Sequence, residues 1–151
     1  MSLYQLIYQS QSLIPFSPLE LDKLLVKSRN FNQEHGITGL LLYTPDGRFL
    51  QVLEGEREDV RSLYYQRISQ DPRHYNCLVL NEGPCQYRVF SDWSMAFSPA
   101  QAQDLRRLLA PVPAQSKALL VPRPHTRPEL LTLLREFVQR PDSALASNSS
   151  G

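Results

Sequence analysis

The sequence predicts an α+β fold, a mixed five-stranded sheet with two helices on one face, followed by further helices. Three observations predict it. Apolar and aromatic runs of strand length recur along the chain, helical periodicity occupies the stretches between some of them, and turn chemistry marks the joints. Together they give the order β-α-β-β-α-β-β.

Leu3 to Gln9 is short and rich in apolar and aromatic residues and reads as a strand, although periodicity alone leaves a helix open. Ser17-Pro18-Leu19-Glu20 then opens a helix. Ser17 can cap the free amides, Pro18 suits the first helical position and Glu20 completes a capping box. Leu21, Leu24, Leu25, Ser28 and Asn32 recur at helical spacing, and Gly36 offers a left-handed stop, so the helix spans Pro18 to His35. Gly39 to Tyr43 and Arg48 to Leu53 are strands joined by Thr44-Pro45-Asp46-Gly47, whose Asp-Gly pair signals a hairpin. Glu58 to Asp71 carries Val60, Leu63, Tyr64, Arg67 and Ile68 on one helical face and stops at Pro72. Tyr75 to Leu80 and Tyr87 to Phe97 read as the last strands, with Asn81-Glu82-Gly83-Pro84 as the turn between them. Two helices among five strands imply that both cover one face, a ferredoxin-like arrangement.

Beyond Phe97 the character changes. Ser98-Pro99-Ala100-Gln101 and Thr126-Arg127-Pro128-Glu129 repeat the cap logic, predicting short helices to about Leu109 and about Gln139 on either side of a proline-bearing linker, Ala110 to His125. Asp142 to Gly151 is small and polar and is expected to be disordered. The expected organisation is therefore a domain over residues 1–97, a helical cap over 98–141 and a tail over 142–151.

Sixteen basic and fifteen acidic residues leave a formal charge of +1 without a basic stripe, so nothing points to nucleic acid or an anionic membrane. No window approaches the ~20 apolar residues of a membrane span. Cys77 and Cys85 lack a Cys-x-x-Cys spacing and read as reduced thiols, which suggests the cytoplasm. His35, His74 and His125 fall in different elements, which argues against a metal cluster. No phosphate-binding loop, dinucleotide fingerprint or nucleophile elbow is present, and the expectation is a protein that is not an enzyme.

Three polar side chains sit where apolar ones would be expected. Asn32 projects from the apolar face of the first helix, and an unpaired inward amide would cost ~1–3 kcal/mol, so backbone, water or a polar ligand edge must meet it. Gln51 shares a strand face with Phe49 and Leu53, and its amide carries both donors and an acceptor, so it can exchange one hydrogen-bond pattern for another without moving the backbone. Tyr8 shares a face with Tyr4 and Leu6. Each also reads as a core residue with its polar tip tied off locally. Arg67 and Asp71, four apart, read as an exposed helical pair, and Trp93 and Met95 alternate onto one face of the last strand.

Read together, several blocks resemble the BLUF family. They are Leu3-Tyr4-Gln5-Leu6-Ile7-Tyr8-Gln9-Ser10, Asn32-Gln33-Glu34-His35-Gly36-Ile37-Thr38-Gly39-Leu40-Leu41-Leu42-Tyr43, Gly47-Arg48-Phe49-Leu50-Gln51-Val52-Leu53-Glu54-Gly55, Asp71-Pro72-Arg73-His74 and Trp93-Ser94-Met95. The resemblance implies a blue-light receptor with a non-covalently held flavin, FAD or FMN, between the two helices. It implies Tyr8 and Gln51 at the reactive ring edge, and Asn32 at the ring's carbonyl and imide edge. Leu24 would lie against the flavin, Arg67 and Asp71 toward its ribityl and phosphate side, and His74 at its flank. Trp93 and Met95 would convey a change in Gln51 to the outer face of the sheet, and which of them faces the flavin stays open. Phe31 departs from members of the family with a polar residue there, which implies that one contact to the ring is absent or replaced by aromatic packing. The helical cap resembles that of short family members and implies self-association or a signalling partner. Two other readings are an acylphosphatase-like hydrolase, since Arg and Asn are available, and an oligomerisation module without photochemistry.

Overall fold

The computed structural model describes residues 3–109 and 125–138. In chain order the elements are β1 (Leu3–Ser12), α1 (Pro18–His35), β2 (Thr38–Tyr43), β3 (Arg48–Glu56), α2 (Arg57–Ser62, continued by a π-helical stretch Leu63–Ile68), β4 (His74–Pro84), β5 (Ala96–Pro99), α3 (Ala102–Leu109) and α4 (Arg127–Val138). The sheet order is β4-β1-β3-β2-β5, antiparallel except for the parallel β2–β5 pair. The predicted order and mixed sheet are both present.

Local chemistry explains the first half. The Ser17 hydroxyl accepts from the Glu20 amide while the Glu20 carboxylate accepts from the Ser17 amide, and Gly36 closes α1 at φ 64°. The β2–β3 hairpin turns through Gly47 at φ 89°, whose N–H donates to the Thr44 carbonyl at 2.9 Å. Gly39 is demanded by packing, since a Cβ there would lie 2.0 Å from the Val52 carbonyl oxygen.

Strand alternation divides the core in two. Leu6, Tyr8, Leu41, Phe49 and Leu53 face α1 and α2, together with Leu25, Val60, Leu63 and Tyr64. Ile7, Leu40, Leu42, Leu50 and Val52 face the other way, where they meet Leu105 and Leu108 of α3 and Leu130, Leu134 and Phe137 of α4. The second layer of helices seals a face that five strands and two helices would leave bare.

Four expectations are corrected. The segment Asn81-Glu82-Gly83-Pro84 is not a turn but the end of β4, paired with Ile7, Leu6, Gln5 and Tyr4 of β1. Glu82 there accepts from Tyr4 at 2.6 Å, and Arg127 donates to the Pro84 carbonyl at 2.6 Å beside Gly83. Pro84 is tolerated because β4 is an edge strand. Second, the last strand is only Ala96–Pro99, because the amides of Val89 and Phe90 turn to the Glu54 side chain instead of a neighbouring strand. Third, Trp93 and Met95 precede that strand and part company: Trp93 packs on the α3–α4 side and Met95 on the α1–α2 side. Fourth, β5 runs through Ser98, so α3 starts later, with Asp104 accepting from the Gln101 amide at 2.8 Å. Thr126 and Glu129 do form the expected capping box on α4. The expected tail over 142–151, and the linker as far as residue 124, lie outside the described residues.

Candidate functional site

A cavity of about 510 Å³ lies between α1 and α2 over the sheet, within the ~300–1,000 Å³ of small-molecule sites. Its floor is Tyr8, Leu41, Phe49 and Gln51. Leu24, Lys27, Ser28, Phe31 and Asn32 line the α1 side, one helical face at spacings of three and four. Leu63, Arg67 and Ile68 line the other side, and Phe16, Asp71, Arg73 and His74 also border the space. The structure brings Tyr8, Leu24, Asn32, Gln51, Arg67, Asp71 and His74 around one cavity, and neither Trp93 nor Met95 is among the residues that line it.

Tyr8 and Gln51 are directly opposite in the β1–β3 register, so their side chains share a face at closest reach. The Tyr8 hydroxyl donates to Gln51 Oε1, and Gln51 Nε2 donates to Met95 Sδ at 3.3 Å. Sulfur is a weak acceptor, so the Tyr8 hydroxyl is what selects this amide orientation. Burial is the main reason the Tyr8 phenol is held far above its ordinary value, with Cys77 and Tyr64 adding to it. Tyr64, whose ring centroid lies 4.8 Å from that of Tyr8, is pushed up to about 12, again chiefly by burial.

Asn32 is buried, and its Nδ2 donates to the Ser94 carbonyl at 2.7 Å. The partner required for the inward amide is therefore the backbone just before Met95. Both nitrogens of His74 are engaged, Nδ1 with Ser10 Oγ at 2.9 Å and Nε2 with the Ile68 carbonyl, so His74 offers the cavity a ring rather than a free hydrogen bond. Phe31 stacks on His35 at 4.0 Å and carries the Arg67 guanidinium 4.5 Å above its own ring.

The expected Arg67–Asp71 helical pair is replaced by a different one. The π-helical stretch ends at Ile68, which leaves Asp71 off the helix and accepting from Arg73 Nη2 at 2.6 Å and from the Arg73 amide at 2.9 Å. Lys27 and Arg73 were not among the candidate residues. Lys27 was legible from its spacing to Leu24 and Phe31, whereas Arg73 follows Pro72 in a loop and carries no periodic signal.

The Arg73 side chain holds the Asp71 carboxyl below its ordinary value of 3.8, despite the opposing effect of partial burial. A carboxyl with a lowered folded-state value binds fewer protons than the unfolded chain. Its stabilisation is complete above the ordinary value and disappears as pH falls through the lowered one. Asp71→Asn is therefore expected to flatten the fall in urea midpoint as pH drops through and below the ordinary aspartate range, relative to the parent chain. Parallel curves for the two proteins would remove Asp71 from the acid response.

A cavity with flat aromatic and aliphatic walls, amides at its inner end and cations about it suits a planar heterocycle bearing an imide edge and an anionic tail. Residues 3–96 match the family model described as BLUF, sensors of blue-light using FAD. The chain belongs to the BLUF family. It is 40% identical over 96 residues to photoactivated adenylate cyclase subunit beta of Euglena gracilis, a match that takes in 62% of this chain and 11% of that one. Among solved structures, the dark state of the BLUF protein BlrB aligns with TM-score 0.59 and 35% identity over 71% of this chain and 78% of that one. The photo-activated state of BlsA aligns with TM-score 0.70 and 28% identity over 95% of this chain and 99% of that one. As a BLUF protein the chain is a flavin-binding sensor of blue light, and neither the acylphosphatase-like nor the non-photoactive alternative is favoured. Among the described residues no helix is long and apolar enough to cross a membrane.

Proposed function

We propose that light is read by the Tyr8–Gln51–Met95 chain of contacts and passed to α3 and α4, which change their hold on a second copy or a signalling partner. The observation that carries this reading is the Tyr8 hydroxyl donating to Gln51, whose amide in turn reaches Met95 at 3.3 Å. A bound flavin supplies the absorption of blue light and an oxidising excited state. Tyr8, which lines the cavity beside Gln51, would be the donor of an electron and a proton. Gln51 responds by reversing or tautomerising its amide, because either change exchanges its donor and acceptor ends. A reversed Gln51 would present oxygen to the Met95 sulfur, and Met95 would have to move. Asn32 holds the carbonyl of Ser94 and so keeps the neighbouring backbone in place for that movement.

Leu24 and Phe31 would pack against the ring, His74 would border its flank, and Arg67 and Asp71 would lie toward the ribityl and phosphate side, with Lys27 and Arg73 contributing charge. In this reading residues 1–97 sense, residues 98–141 transmit, and the chain itself catalyses no reaction. The free thiols Cys77 and Cys85 fit a cytoplasmic setting.

The test is the absorption spectrum of the purified full chain before and after blue light, followed by its size in each state. The expected result is a reversible shift of the flavin band to longer wavelength with a change in oligomeric state or partner affinity. A colourless or light-indifferent protein would overturn the reading.

A further inference from the structure

Glu54 is fully buried on the outer face of the sheet, although it carries an acidic side chain. Its cross-strand neighbours are Gln5 on β1 and Thr38 on β2. Gln5 Nε2 donates to Oε2 at 2.7 Å and Thr38 Oγ1 donates to Oε1 at 3.1 Å. The remaining capacity of the carboxyl is turned outward: the Val89 amide donates to Oε2 at 2.6 Å and the Phe90 amide to Oε1 at 2.9 Å. Arg88 reinforces the same spot, donating to Thr38 Oγ1 at 3.0 Å and to the Glu54 carbonyl at 3.3 Å. All four hydrogen bonds to the Glu54 side chain, two from side chains and two from backbone amides, are donated to its oxygens.

The backbone held this way leads directly to Met95. The Trp93 amide donates to the Phe90 carbonyl at 3.1 Å, and the Gly39 amide donates to the Trp93 carbonyl at 3.2 Å. Asn32 then holds the Ser94 carbonyl, Arg29 Nε donates to the Met95 carbonyl at 3.1 Å, and Gln51 meets the Met95 sulfur. One end of the segment is thus fastened to a sheet carboxyl and the other to groups bordering the cavity. Phe90, between them, is fully buried in the cluster that contains Leu105, Leu108, Leu134 and Phe137.

We propose that Glu54 is a positioning residue for the light-reading contact: by clamping the amides of Val89 and Phe90 it sets where Met95 meets Gln51 and where Phe90 seats the C-terminal helices. The inference rests on the Tyr8–Gln51–Met95 reading for its photochemical part, while the clamp itself is measured without light. A Gln at 54 would replace one acceptor oxygen by an NH2 group facing donors, breaking the clamp with little change in shape. Gln5→Met removes one sheet-side donor and leaves the Val89 and Phe90 contacts intact.

The experiment compares Glu54→Gln and Gln5→Met in the full flavin-loaded chain. In Glu54→Gln, hydrogen exchange at the Val89 and Phe90 amides is expected to rise about tenfold or more, as a local opening of this segment would require. Trp93, the single tryptophan of the chain, should shift its emission. The thermal return of the light-shifted band should change by about threefold or more. Gln5→Met should lower the urea midpoint and leave these three readouts unchanged. If Glu54→Gln does not fold, Glu54→Asp keeps the acid but draws it back by one methylene, and the same rise in exchange is expected. Unchanged exchange at Val89 and Phe90, an equal rise in Gln5→Met, or faster exchange with unaltered band recovery would each overturn the proposal. Absence of any light-induced shift in the parent chain would instead count against the Tyr8–Gln51–Met95 reading, with the exchange result still reporting on the clamp.

Discussion

Tyr8→Phe is expected to retain its flavin and to lose the light-induced shift of the absorption band. The substitution removes a single hydroxyl from a buried ring and leaves the ring packing against Tyr64 intact. Taking the donor from a buried acceptor costs ~1–3 kcal/mol, less than the ~5–15 kcal/mol by which such domains are stable, so the fold and the cavity should survive. What disappears is the strong donor to Gln51 Oε1, which leaves that amide, among the described residues, with the weak Met95 sulfur as its side-chain partner. A tyrosine phenol is protonated at neutral pH even at its ordinary value, and burial raises that of Tyr8 further, so the hydroxyl is a donor at any working pH near 7. The measurement is the difference spectrum after blue light at matched flavin content. A shift equal to that of the parent protein would remove Tyr8 from the mechanism.

Leu134→Ala should destabilise the protein by ~2–5 kcal/mol, the range for emptying a fully buried leucine site. Leu134 has no exposed surface and belongs to the cluster that joins α4 to Ile7, Leu40, Leu42, Leu50 and Val52. Because domains of this size are stable by only ~5–15 kcal/mol, the effect should be plain as a lower urea midpoint at unchanged slope. A loss below ~1 kcal/mol would mean that α4 contributes little to covering the sheet.

The two substitutions probe opposite faces of the same sheet, and the sequence is unequally informative about them. On the cavity side, Leu24, Asn32 and Tyr8 were legible because helix and strand periodicity orient side chains directly. Gln51 opposite Tyr8 follows once β1 and β3 pair, but the pairing itself joins residues 43 positions apart. On the outer side, Leu105, Leu108, Leu130 and Leu134 show helical spacing, yet nothing local says what they cover.

The misread elements share a cause. Asn81-Glu82-Gly83-Pro84 has the composition of a turn, but pairing with β1 and the contacts of Glu82 outweigh that local preference. Tyr87 to Phe97 has the composition of a strand, but its amides find the Glu54 carboxyl first. The π-helical stretch at Leu63–Ile68 shifts Asp71 away from Arg67, and no residue within it announces the extra backbone step.

By itself the sequence determined the caps of α1 and α4, the β2–β3 hairpin, the element order and the polar residues on apolar faces. These depend on backbone amides, side-chain alternation and turn conformations within a few positions of each residue. Only the tertiary structure decided that Met95 and not Trp93 meets Gln51, that Asp71 pairs with Arg73, and that α3 and α4 close the outer face. Those outcomes depend on which distant donor reaches a buried acceptor, and on which apolar surfaces find each other once the sheet has formed.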